Sequence, residues 1–171
     1  MIHSCACCGI ELENHRSSFT AKEAECNRVC LSCASSEMMK VPLKLRNFLD
    51  ELNAPVVMVD DAGLVQVANI HTSQLLHKHL SCIEGHAGGD VFECAYSKLP
   101  ERCGNTIHCS GCTIRNAVMD THATGKPLLK IPAILKQAAD GEPQDLHCYI
   151  STEKLDKYVI LTISCLTGMK S

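Results

Sequence analysis

The chain has 171 residues, enough for one full domain and a small appendage; 46% are apolar, aromatics make up 4% and tryptophan is missing, so a stacking platform for single-stranded nucleic acid is not expected. The net charge is −3 with lysines and arginines scattered, which leaves no legible basic patch and no indication of nucleic-acid binding. No apolar run reaches membrane-spanning length and MIHSCACCGIELENHR has no signal-peptide hydrophobic segment, so thirteen cysteines point to a reducing cytoplasm, where dense cysteines mean metal more often than disulfides.

The first segment, residues 1–39, carries two C-x-x-C knuckles, Cys5/Cys8 and Cys30/Cys33, separated by twenty-one residues. Two such pairs on separate turns can place four thiolates on one tetrahedral zinc ion. The segment is too short and polar to bury much of a core, so metal would supply its folding energy. The bland alternative is a flexible cysteine-rich tail. Cys7 and Cys26 could each replace a named ligand, whereas His3 and His15 read as packed or solvated histidines. The two knuckles resemble the small zinc ribbons that accompany bacterial sensory domains.

Residues 40–53 read as a linker helix, with Val41, Leu45, Phe48, Leu49 and Leu52 on one stripe and Pro42 in its first turn. The apolar face must meet the following domain or a second subunit. Next, VVMVD and LVQVANI read as strands joined by a D-A-G turn, HTSQLLHKHL as a short helix, and CTIRNAVMDTHATG as a helix stopped by Gly125. Three strands follow: LLKIPAIL, DLHCYIST and KYVILTISCL, with AADGEP as the turn between the first two. In the last strand Val159, Leu161, Ile163 and Cys165 share one face.

The strand–turn–strand opening PVVMVDDAGLVQVAN, the Gly-rich GHAGGDVFEC and the terminal strand pattern resemble a PAS domain over residues 54–168. The resemblance implies an α+β fold: a five-stranded antiparallel sheet in the order 2-1-5-4-3 cradling short helices, here preceded by the zinc-ribbon-like segment and the linker helix. RCGNTIHCSGCTIRN is similar to a segment that some PAS domains of bacterial signalling proteins carry as an insertion, here at 94–112, with Arg102 where the first glycine usually stands. The family implies sensing or regulation. The asparagine–cysteine–arginine segment of the flavin photoreceptors is missing, and His77 and His79 read as surface residues rather than haem ligands. No kinase or other output segment fits in the remaining residues, so the expected output is association with a protein partner or a second copy, through PAS and linker-helix surfaces.

Cys94, Cys103, Cys109 and Cys112 follow one another with eight, five and two intervening residues. Four thiolates fit an iron–sulfur cluster or a structural zinc ion equally well by geometry, and a metal-free thiol–disulfide switch is the third chemistry. The PAS resemblance favours an iron–sulfur cluster that senses oxygen or redox state. Zinc would make the same segment a rigid brace of a non-sensing adaptor. Gly104 and Gly111 are expected to let backbone amides approach sulfur, and His108 is the rival ligand.

Enzyme readings find little support, and no catalytic residues are expected. Asp60 and Asp61 are adjacent, so in extended chain they point opposite ways and read as turn residues before Gly63. Glu84 and His86 have no HExxH spacing, and phosphate-loop and dinucleotide glycine patterns are missing. Thr121, His122 and Thr124 read as a helix end; Cys82, Cys148 and Cys165 read as core fillers.

Overall fold

The computed structural model describes residues 3–4, 11–12, 43–139 and 142–167. In the first part His3–Ser4 pairs antiparallel with Glu11–Leu12. The knuckle cysteines Cys5, Cys8, Cys30 and Cys33 lie outside the described residues.

From residue 43 the elements run α1 (Leu43–Asp50), β1 (Val56–Val59), β2 (Val65–Ala68), α2 (Ile70–Leu76), α3 (Gly88–Val91), α4 (Thr113–Thr124), β3 (Leu128–Ala139), β4 (Glu142–Leu155) and β5 (Tyr158–Thr167). The strands form one five-stranded sheet in the order β2-β1-β5-β4-β3, every neighbouring pair antiparallel. This is the expected order, with the terminal strand at the centre. β3 and β4 are longer than the alternating apolar residues suggest, because pairing continues to Ala139↔Glu142 and narrows the expected turn.

Local chemistry sets the element ends. At the β1–β2 turn the Asp60 carboxylate accepts from the amides of Ala62 (3.0 Å) and Leu64 (2.9 Å), while Gly63 takes φ +82°. Asn69 caps α2 by accepting from the Thr72 amide at 3.0 Å. Gly125 ends α4 at φ +72° and its amide donates to the Thr121 carbonyl at 2.8 Å.

The sheet buries apolar side chains on both faces. On the inner face Val57, Val65, Ile150, Val159, Leu161 and Ile163 pack under α4, which contributes Ala117 and Val118. On the outer face Val56, Met58 and Val67 pack with Leu49 of α1. Burying a leucine of this kind stabilises by about 2 kcal/mol relative to leaving it in water. One expectation for α1 is corrected: Phe48 is 52% exposed, and Arg46 occupies the buried side instead. The Arg46 guanidinium reaches across to the Glu84 carboxylate at 3.0 Å and to the Ala68 carbonyl at 3.3 Å. Val41 and Pro42 lie outside the described residues.

Candidate functional site

Between α3 and α4 the chain makes two short 3-10 turns, Ala95–Lys98 and Ile107–Gly111; Cys94 precedes the first, Cys103 lies between them, Cys109 sits within the second and Cys112 follows it. The Cys94 amide donates to the Gly89 carbonyl at 2.7 Å, and the Cys94 carbonyl accepts from the Ser97 hydroxyl at 2.8 Å. An isolated bridge joins Cys94 to Gln137 of β3. Arg102 lies at φ +62°, the left-handed region that glycine favours. The Cys109 amide donates to Thr106 and the Cys112 amide to Cys109, so each sulfur follows from the turn before it. Cys112 then caps α4.

All four sulfur-bearing residues, Cys94, Cys103, Cys109 and Cys112, line a single cavity of about 180 Å³ whose inner wall includes Val65, Phe92, Val118 and Leu161. None of the four is in a disulfide. Backbone and hydroxyl donors already address the sulfurs. The Gly104 amide donates to Cys109 Sγ at 3.1 Å, Thr106 Oγ1 shares a hydrogen bond with the same sulfur at 3.1 Å, and the Arg115 amide donates to Cys112 Sγ at 3.5 Å. Gly104 therefore does what its position implies. Gly111 does not: a side chain there would meet nothing within 4 Å, and the donor to Cys112 comes from the first turn of α4 instead. Gly89 has an unforeseen role. A Cβ at that position would fall 2.6 Å from Cys103 Sγ and 2.8 Å from its Cβ, so only glycine lets the α3 backbone touch this thiol.

The thiols influence one another electrostatically. Burial pushes the Cys94 thiol up, the amides of Tyr96 and Ser97 pull it back, and Cys112 and Cys109 add to the rise. Cys103 is raised in the same way, by burial first, against the Gly89 amide and with the other three cysteines adding to it. For Cys109 burial also acts upward, but the Thr106 hydroxyl, the Gly104 and Thr106 amides and the Arg115 charge outweigh it and lower the pKa. Cys94 and Cys103 therefore hold their protons more firmly than a free thiol, and Cys109 less firmly. Among the described residues no three or more His, Cys, Asp or Glu side chains are grouped so as to hold a single metal ion.

The neighbours complete the environment. His108 stacks on Tyr96, ring centroids 3.8 Å apart and planes 11° from parallel. Cys82 and Cys148 are buried core residues, as expected, and the side chain of Cys165 lies outside those described. His77 and His79 are exposed.

Three residues that carry much of the polar framework were not singled out from the sequence for these roles. Asn69 is fully buried; its carboxamide accepts from Val56 and Thr72 and donates to the Leu49 and Ala54 carbonyls at 2.9 and 2.8 Å. Glu84 holds Arg46 and accepts from the Ala68 amide at 3.1 Å. Arg46 completes the set, so α1 is fastened to the loop that leads through Gly85 to Gly89 and the cysteines.

No family model and no curated protein matches the chain. Among solved structures it is similar to the PAS domain of nitrogen regulation protein NR(II) from Vibrio parahaemolyticus, at 12% identity and a TM-score of 0.46, covering 72% of this chain and 97% of that one. The PAS domain of the Cronobacter turicensis RpfR quorum-sensing receptor in complex with BDSF gives 13% identity and a TM-score of 0.48, over 68% of this chain and 97% of that one. A domain of a sensory box sensor histidine kinase/response regulator from Geobacter sulfurreducens gives 12% and 0.48, over 71% and 91%. Likeness at this level says nothing of ligand or role. Among the described residues no helix is long and apolar enough to cross a membrane. With its sheet order, α4 packed on the inner face, α1 on the outer face and the connection from α2 to α4 between them in sequence, the described chain has a PAS-like α+β fold.

Proposed function

We propose that the domain is a signalling module in which Cys94, Cys103, Cys109 and Cys112 hold a metal centre, an iron–sulfur cluster in preference to a single zinc ion, and that the state of this centre governs association with a protein. The carrying observation is that four thiols, none in a disulfide, line one cavity while amide donors already address two of the sulfurs. A lone zinc ion needs its thiolates gathered at about 2.3 Å from one point. Among the described residues no three such side chains are gathered so as to hold a metal ion, so either group would draw the sulfurs together on binding. Thiolate ligands with N–H···S bonds are the donor set that such clusters use.

The bound group would supply an electron-accepting centre that oxygen can damage. The chain's own residues do the rest. Cys109 and Cys112 bracket the last turn before α4, so freeing them loosens the start of that helix, whose other face packs on the sheet. Cys103 touches Gly89, and the 85–89 loop continues to Glu84 and its bond to Arg46. Both α4 and α1 therefore lie one or two contacts from the sulfurs. A change there acts as a signal if the partner, a second copy or another protein, binds the two forms with different affinity. The role is sensing rather than catalysis. Cys5, Cys8, Cys30 and Cys33 are proposed separately to hold a structural zinc.

The test is anaerobic purification of the full chain, followed by an absorption spectrum, iron, sulfide and zinc analysis, and sedimentation before and after air. A broad visible band that bleaches in air, with iron and sulfide present and both lost in Cys109→Ser, is the expected result, together with a change in association state. A colourless protein with zinc at this site would reject the sensor in favour of a braced adaptor. A metal-free chain would reject both.

A further inference from the structure

Arg115 stands on the first turn of α4, and its side chain turns back over the cysteine segment. A Cβ built at Gly104 would lie 3.6 Å from the guanidinium carbon, 3.7 Å from Nη2 and 3.8 Å from Nε. The cation therefore covers the very turn whose amide donates to Cys109 Sγ, while its own amide donates to Cys112 Sγ. It is half-buried and lines the cavity that the four cysteines share.

The charge around it is one-sided. Among the described residues no acidic side chain lines the cavity; His108, Arg115 and Lys136 do. Lys136 is paired with Asp145 at 2.8 Å, and His108 stacks on Tyr96. Among the described residues no carboxylate lies within ion-pair distance of Arg115. A half-buried guanidinium is ordinarily matched by a carboxylate or phosphate. Here the guanidinium lies against Gly104 and acts on the Cys109 thiol, in the cavity that the other three cysteines also line. Four thiolates around a divalent ion or a cluster core of the same charge leave a net negative centre, and a fixed cation beside it lowers its energy in a partly water-excluded cavity.

We propose that Arg115 is the counter-charge of the four-thiolate centre: it does not ligate metal, but it balances the excess negative charge and so sets how firmly the centre is held and, for a redox-active one, where its potential lies. This inference rests on the reading of the four cysteines as one metal centre.

The experiment compares the full chain with Arg115→Lys and Arg115→Gln, with Arg115→Met as a second neutral variant in case Gln fails to fold. Apo protein is titrated with zinc against a chelator, and separately reconstituted with iron and sulfide under anaerobic conditions. The neutral variants are expected to bind zinc about 10–100-fold more weakly, with Lys recovering most of the loss. In iron-bearing protein the neutral variants should have the lower reduction potential, because the reduced centre carries the extra negative charge; a one-electron couple moves about 60 mV for each tenfold difference between the two states. Thermal unfolding of the apo forms should be nearly unchanged. Neutral variants that match wild type in zinc affinity and potential would overturn the proposal while leaving the metal centre standing. So would an Arg115→Lys variant as weak as Arg115→Gln, since shape rather than charge would then be responsible. A wild-type chain that takes up neither metal would overturn the metal centre and this inference together.

Discussion

In the sheet, Val57, Ile150 and Leu161 lose nearly all contact with water, and each belongs to one continuous apolar cluster. Between Gly88 and Cys112 only Val91, Phe92, Ser97 and Thr106 are buried, and the last two are polar. The sheet is stabilised by apolar burial and long ladders of backbone bonds. The cysteine segment is held by short 3-10 turns, by a bridge from Cys94 to Gln137 and by donors that end on sulfur. The difference teaches that the segment depends on local polar bonds and the sheet on apolar burial, so the segment is expected to open locally at smaller cost than the sheet.

The sharpest way to break the comparison is to weaken the scaffold. Leu161→Ala removes a side chain 2% exposed at the centre of the sheet and should cost about 2–5 kcal/mol in denaturant unfolding, with both regions melting together. A cost below about 1 kcal/mol would mean that this face is not tightly packed. Gly89→Ala strikes the junction between the regions. Its new methyl would collide with Cys103, so a loss of about 1–3 kcal/mol is expected in the metal-free protein, along with a marked fall in metal retained after anaerobic purification. Unchanged metal content would show that Cys103 is not needed where it stands. Arg102→Gly acts on the segment alone: relief of the left-handed strain at φ +62°, partly offset by the freedom glycine adds to the unfolded chain, should give a net gain of about 0.5 kcal/mol, measured by the same unfolding curve.

How much of this was legible in the sequence differs between the two regions for physical reasons. Val159, Leu161 and Ile163 alternate with less apolar neighbours, and that period is a local property, so β5 and its inward face could be read directly. Asp60 carries its turn chemistry in its side chain, which accepts from the next amides, and Gly63 and Gly125 in their positive φ. Phe48 falls on the same helical stripe as Leu45 and Leu49, yet it faces water while Arg46 is buried, because the arginine's carboxylate partner, Glu84, lies thirty-eight residues away in sequence. The same is true of Asn69, whose partners span β1, α1 and α2. In the cysteine segment the four cysteines and the role of Gly104 were apparent. Which glycine abuts a sulfur was not, since Gly89 meets Cys103 only after α3 folds back over the following turns.

The central place of β5 has a consequence for how the chain acquires its shape during synthesis. β1 and β2 can close as one hairpin, and β3 and β4 as another, each from nearby residues. The strand that joins them is made after all four, and pairs Val57 with Leu161 on one side and Ile150 with Ile163 on the other. Until it emerges from the ribosome, β1 and β4 each present an unpaired edge and an apolar face, the features that invite contact with other nascent chains. Such distant pairing also slows folding relative to a chain of local contacts. The cysteine segment is translated well before β5, so its thiols meet the cell's metals and oxidants while the wall contributed by Leu161 is still missing. Loading of the site is therefore expected to follow completion of the sheet, and a chain stalled before residue 158 should be the form most exposed to mispaired sulfurs and to aggregation.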